Sequence, residues 1–220
     1  MARIVYEKFP TVPVSDFYDE LKFEFQTKTH QQLPPQLFAH YLIKTAVDMA
    51  EKGNLLRRRV DIELEPGVST YSLASADGLK LWAILGVRLH EHCGERIPPR
   101  YFEAPVGSSC HRKGVWYDEF EGELHIETDC GCADSAVVTI AVVPERDVCE
   151  LPAIYKTRYY SILLMGTRAN IMLITGRDWT NLRLGAELYN EYNKMLREEA
   201  VMSHTNLMRG SIKMKFGKVM

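Results

Sequence analysis

The sequence lacks the short signatures that would announce a catalytic or cofactor-binding centre. It has no glycine-rich phosphate loop, no H-E-x-x-H pair and no G-x-S-x-G elbow, so the chemistry each supports has no local carrier. It also lacks a C-x-x-C pair, the spacing that lets two thiolates reach one tetrahedral zinc ion. Long apolar runs are missing too, and the most apolar stretches, such as SILLMG, stop far short of a membrane span. The opening MARIVYEKFPTVPVSDFYDE has no charged start followed by an apolar block, so no signal peptide is expected and synthesis in the cytoplasm is. Five cysteines, odd in number and irregularly spaced, favour reduced thiols over a disulfide framework. Internal repeats and low-complexity tracts are absent.

What is present is an ordinary globular composition. A chain of 220 residues, 46% hydrophobic and 25% charged, can bury a core without help from a metal. Its net charge of -2 provides no general attraction to nucleic acid or acidic lipid, so function must come from local features.

The order of elements reads helices, strands, helices, with changes of character near residues 58 and 150. Ser15 is a candidate N-cap for a helix to about Gln26, with Phe17, Leu21 and Phe25 four residues apart. Pro34 and Pro35 suit the start of a second helix, Phe38, Leu42, Thr45 and Met49 stripe it, and Gly53-Asn54 stops it. The period then becomes two. VDIELEPGVSTYSL reads as two strands about a turn at Pro66-Gly67, and LKLWAILGVRL as a strand buried on both faces. GVWYDEF and ELHIE flank Glu121-Gly122 as a hairpin, with Trp116, Leu124 and Ile126 as candidate inward residues. SAVVTIAVVP is a further strand. Beyond it, Tyr155, Tyr159, Ile162, Gly166, Ala169 and Leu173 stripe one helix ended by Gly176, the small Gly166 and Ala169 allowing close approach of another helix. Leu182, Ala186, Tyr189, Leu196 and Ala200 stripe a last helix from about Asn181 to Val201, paired with the one before across GRDWTN.

The richest stretch in metal-ligating types is CHRKGVWYDEFEGELHIETDCGC, residues 110–132. Cys130 and Cys132 have only one residue between them, and adjacent Cys110 and His111 would point to opposite faces of a strand. His90 and His92, next to Cys93, could share a strand face, set against isolated thiols and surface histidines. Asp118, Glu119, Glu121, Glu123 and Glu127 fit the solvated face of a hairpin better than an acid-base pair, which needs a pocket. No catalytic, cofactor-binding or metal residue is assigned. Arg57, Arg58 and Arg59, and the basic segment HTNLMRGSIKMKFGKVM, could contact phosphates, but cations also suit a helix C-terminus and Phe216 alone is no stacking series.

Two segments carry a resemblance. One is Glu150-Leu151-Pro152 leading into a helix with small residues; the other is Asp178-Trp179-Thr180-Asn181 leading into Leu184, Ala186 and the helix ELYNEYNKMLREEA. With the order of elements around them, they make most of the chain resemble the head-to-tail adaptors of tailed bacteriophages, also called head completion, connector or tail tubular A-like proteins. The Cys- and His-containing β region departs from that pattern.

The resemblance implies an α+β fold, a helical bundle with an inserted antiparallel β-sheet or small barrel-like β region and an extended C-terminal arm. Residues 1–58 would supply the N-terminal helices, 59–150 the β-rich insertion, 151–202 the C-terminal helical hairpin and 203–220 the basic arm. It implies a structural virion protein at the head-tail junction, not an enzyme and without a cofactor, acting as a dodecameric ring beneath the portal that extends the DNA channel. The implied partners are the portal protein, a tail or nozzle protein, further copies of the chain and, non-specifically, genomic DNA in the channel, with no membrane. The expected portal-contact arm comprises Ser203, Leu207, Met208, Arg209, Ile212, Lys213, Met214, Lys215, Phe216 and Lys218. Lateral or channel-facing charges are expected at Arg57, Arg58, Arg59, Asp118, Glu119, Glu121 and Glu123. The alternative function is a zinc-dependent or nucleic-acid-binding interaction module.

Overall fold

The computed structural model describes residues 3–21, 33–73, 77–91, 115–118, 122–126, 133–177 and 179–211. The chain divides into two compact units, one of Met1–Val12 and Leu56–Ala153, the other of Pro13–Leu55 and Ile154–Met220.

The first unit rests on strand alternation. β1 (Ile4–Tyr6), β3 (Arg57–Glu63), β5 (Leu79–Glu91) and β8 (Ala133–Pro144) form a four-stranded antiparallel sheet in the order β1-β3-β8-β5. Every second residue of β3 is buried, Arg58, Val60 and Ile62, while Arg59, Asp61 and Glu63 are exposed. Register sets Val60 opposite Val138 and Ile62 opposite Ala136, so one apolar row crosses from strand to strand. β4 (Thr70–Ser72), β6 (Val115–Asp118) and β7 (Glu123–Ile126) form a second sheet, ordered β4-β7-β6. β2 (Thr11–Pro13) and β9 (Glu150–Pro152) make a two-stranded third.

The second unit holds α1 (Ser15–Leu21), α2 (Pro35–Gly53), α3 (Ile154–Thr157), α4 (Tyr160–Met172) and α5 (Leu182–Ser211). Proline opens α2 and Asn54 closes it in the left-handed conformation, at φ 46°. The connection from α4 to α5 is tied at both ends: Asn181 N–H donates to Met172 O at 3.0 Å, and Asn181 Oδ1 caps α5 by accepting Leu184 N–H at 3.0 Å. At Gly166 of α4, a Cβ would lie 2.6 Å from Thr45 Cγ2 of α2 and 2.8 Å from the Tyr192 ring of α5. Three helices therefore meet where one side chain is missing.

The expected helical bundle with a β insertion is corrected by this architecture. Five helices and three antiparallel sheets are mixed along the chain, and among the described residues no long helical bundle is formed. The β-rich unit is not a simple insertion, because β1 and β2 bring residues before the first helix into its sheets. The helix expected from Tyr155 to Leu173 breaks at Arg158–Tyr159 into α3 and α4. β5 is an edge strand, with irregular register at Leu81/Ala83 and Ile84/Gly86, and Trp82 is 45% exposed, so it is not buried on both faces. The expected extended arm from Ser203 is helical in its first part, since α5 continues to Ser211.

Substituting Gly166→Ala should lower unfolding stability by about 1–3 kcal/mol, because Thr45 and Tyr192 must both give way. Denaturant unfolding measures it; a change within about 0.5 kcal/mol would mean that α2 or α5 can shift without loss.

Candidate functional site

The arginine triplet is split by its strand. Arg57 is half-buried and Arg59 exposed, with Arg59 Nη2 2.9 Å from Asp61 Oδ1. Arg58 turns inward and is only 2% exposed. Its Nε donates to Glu7 O at 2.6 Å, its Nη2 pairs with Asp77, and its guanidinium lies 5.0 Å from the Tyr6 ring centroid and 5.9 Å from that of Phe9. A buried cation without such partners would be strongly destabilising. Arg58 thus fastens the N-terminal segment to the sheet and is not presented as a lateral or channel charge.

Asp118 and Glu123 stand opposite each other in the β6–β7 ladder, and Asp118 O accepts Gly122 N–H at 2.9 Å across the turn. Glu119 and Glu121 lie outside the described residues. On β7, His125 Nδ1 is 3.1 Å from Thr70 Oγ1 of β4, and its Nε2 is 3.9 Å from Glu123 Oε2. Thr70 and His125 are register partners, which makes this a cross-strand polar pair. Leu124 and Ile126 are buried, as expected of inward residues, whereas Trp116 is paired in register with His125. Among the described residues, no group of three or more His, Cys, Asp or Glu side chains could hold a metal ion. Cys149 is an exposed free thiol; Cys93, Cys110, Cys130, Cys132, His92 and His111 lie outside the described residues.

The helical unit holds the perturbed groups. Tyr192 Oη donates to Asp48 Oδ2 at 2.8 Å, and Lys52 Nζ is 2.8 Å from Asp48 Oδ1. Burial, then the Asp48 carboxylate, pushes the Tyr192 phenol up, and the hydrogen bond to Asp48 raises Lys52. Tyr155, fully buried, donates to Ala46 O at 2.6 Å and is also pushed well up, first by burial. The tyrosine contacts join α5 and α3 to α2, while Lys52–Asp48 lies within α2.

Of the expected arm, Ser203, Leu207, Met208 and Arg209 fall on α5; Ile212, Lys213, Met214, Lys215, Phe216 and Lys218 lie outside the described residues. Leu196 of α5 is buried and Glu199 is held by Arg158, but Val201 and Met202 are 66% and 53% exposed. Leu182 and Leu184 are exposed at the other end of the helix. Counting one apolar stripe per helix misses them; their spacing around the rest of α5 would have shown them. No described helix is long and apolar enough to cross a membrane.

Arg58→Ala should cost about 2–4 kcal/mol, from the space left under the Tyr6 and Phe9 rings and the unpaired Glu7 carbonyl, half-exposed Asp77 being free to turn to water, while Arg59→Ala should stay within about 0.5 kcal/mol. Equal effects in urea unfolding would contradict the inward placement. The tyrosines make a separate prediction. Folded Tyr155 and Tyr192 keep their protons where the unfolded chain, near pH 10, loses them. The stability they contribute is complete below pH 10 and is lost above it, by about 1.4 kcal/mol per pH unit for each. Unfolding midpoints from pH 8 to 11 should fall more steeply for the native protein than for a Tyr155→Phe/Tyr192→Phe variant, and parallel profiles would refute this. Comparison of the sequence with protein-family models and with curated proteins gives no match in either case.

Proposed function

We propose that this chain is a structural virion protein, a head-to-tail adaptor whose copies form a ring beneath the portal, extend the DNA channel and join the capsid to the tail. The observation that carries this reading is the reach of α5. Its thirty residues run about 45 Å, against about 20 Å for the thirteen of α4. Leu196 is buried and Glu199 is paired with Arg158, and the helix backbone continues for twelve residues beyond Glu199, to Ser211. A long helix with Val201 and Met202 exposed suits a protein that works by contact, since apolar side chains gain from being covered.

The two segments that carry the resemblance support the same reading: 150–152 forms β9 before α3, and Asn181 caps α5. The portal contact is assigned to the C-terminal end of α5 and the basic segment after it, Ser203 to Met220. The cations Arg209, Lys213, Lys215 and Lys218 there suit acidic surface on the portal side, and a tail or nozzle protein meets the opposite face of the ring. Contact with genomic DNA is non-specific and confined to the channel.

Native mass spectrometry of the protein mixed with its cognate portal ring should find a discrete complex carrying a full ring of copies. Removing residues 203–220 should weaken portal binding at least tenfold. Unchanged affinity and copy number after the deletion would eliminate the arm as the main contact. A metal-loaded monomer that ignores the portal would replace the adaptor by a zinc-dependent module.

A further inference from the structure

From Arg183 to Met202, α5 carries three longitudinal stripes about 120° apart. The first, Gly185, Tyr189, Tyr192 and Leu196, faces α2 and α4 and is buried or half-buried. The second, Leu184, Leu188, Glu191, Met195, Glu198 and Met202, follows a 4-3-4-3-4 spacing and is half-buried to exposed. The third, Arg183, Ala186, Asn190, Lys194, Arg197 and Val201, is exposed throughout. Such spacing keeps each set on one side of a helix.

The two outer stripes differ in charge. One is apolar with Glu191 and Glu198 set into it; the other is small and polar with Lys194 and Arg197. Among the described residues none of these four charges forms an ion pair, unlike Arg183, which is 3.2 Å from Glu187. Glu191/Lys194 and Lys194/Glu198 have the spacing of helix-supporting neighbours, and the sorting of charge between the two stripes also matches what a second copy presenting the same helix would need.

We infer that a second copy of this chain docks along α5, with the acidic apolar stripe of one subunit against the basic stripe of the next. The inference rests on the ring reading and gives it a lateral contact. Rotation about an axis running along α5 keeps residues at equal height, so Glu191 meets Lys194 of the neighbouring copy and Glu198 meets its Arg197. The two surfaces differ, so the contact is head-to-tail and closes into a ring where the rotation fits. Leu184, Leu188, Met195 and Met202 are covered by Ala186, Asn190 and Val201, small enough for two helices to approach. Arg57 to Arg59 are poorer candidates, with Arg58 buried and Arg59 held by Asp61.

Two reversed variants test the contact: Glu191→Lys/Glu198→Lys, which makes both stripes basic, and Lys194→Glu/Arg197→Glu, which makes both acidic. All four positions are exposed, so each variant loses only the small amount that new like-charge neighbours at 191/194 and 194/198 cost a helix, and circular dichroism verifies that it folds. On the portal ring, each variant alone should lose at least tenfold in occupancy through like-charge repulsion, and an equal mixture should recover it by alternating around the ring. Either variant filling the ring alone as fully as the native protein would overturn the inference and leave the adaptor reading intact. If the native protein itself ignores the portal, the ring reading fails, and the two variants mixed at high concentration and low salt then decide the contact. Sedimentation of a mixed complex that neither forms alone supports it, and no association overturns it.

Discussion

The position of α5 depends on the absence of a side chain at Gly166. There α4 comes close enough to α2 and α5 that even a methyl group would collide with Thr45 and Tyr192. Polar groups around the contact are satisfied across helices: Asn170 Nδ2 donates to Thr45 Oγ1, Thr45 donates to Tyr41 O, and Tyr192 donates to Asp48. A second close approach, Gly185 against Leu173 and Met172, pins α5 near its start. Two tight points about two turns apart fix both the direction of the helix and its rotation about its own axis. Once Tyr192 is turned towards Gly166, the other two stripes have no choice but to face away.

In the β-rich unit the comparable constraint is strand alternation. Three consecutive arginines invite a reading as one basic patch, yet a strand sends neighbours to opposite sides. The middle guanidinium is therefore driven inward, where Tyr6, Phe9, Glu7 O and Asp77 receive it. Local geometry outranks charge here because breaking the period of β3 would also expose Val60 and Ile62. Burial of Arg58 is the consequence of keeping two apolar neighbours in the core.

Elements whose evidence is local were legible in the sequence. Proline at the start of α2, Gly53-Asn54 at its end, the β6–β7 turn at Gly122 and the small residue at Gly166 each act over a few residues. What was not legible depends on distant partners. Ile4–Tyr6 is too short to declare itself a strand until β3 lies beside it, and Arg58 cannot be told from Arg59 without Asp77. The break between α3 and α4 carries no proline or glycine, and LKLWAILGVRL reads as a central strand from its near-continuous apolarity, its one bulge signal being Gly86 at the register shift after Ile84. Of the candidate site, the run of α5 past Val201 was visible only as a basic segment, since the apolar spacing read from the sequence stopped at Ala200.

That difference between apolar spacing and helix is where structure and proposed role meet. The backbone of α5 continues in helix beyond Glu199 to Ser211, and a segment already helical loses less freedom on binding than an extended chain would. On the proposed ring reading, charges set among Leu184, Met195 and Met202 would oppose indiscriminate association of single copies and would keep each lateral contact weak in solution. Exposed ion pairs contribute about 0–1 kcal/mol each. Copies so equipped would associate poorly alone and well once a portal holds them side by side, where the next contact is drawn from a high local concentration and not from bulk solution. Weak, directional stripes on a firmly seated helix are what a ring assembled on a template requires, and stronger ones would permit rings or filaments to form before the portal is present.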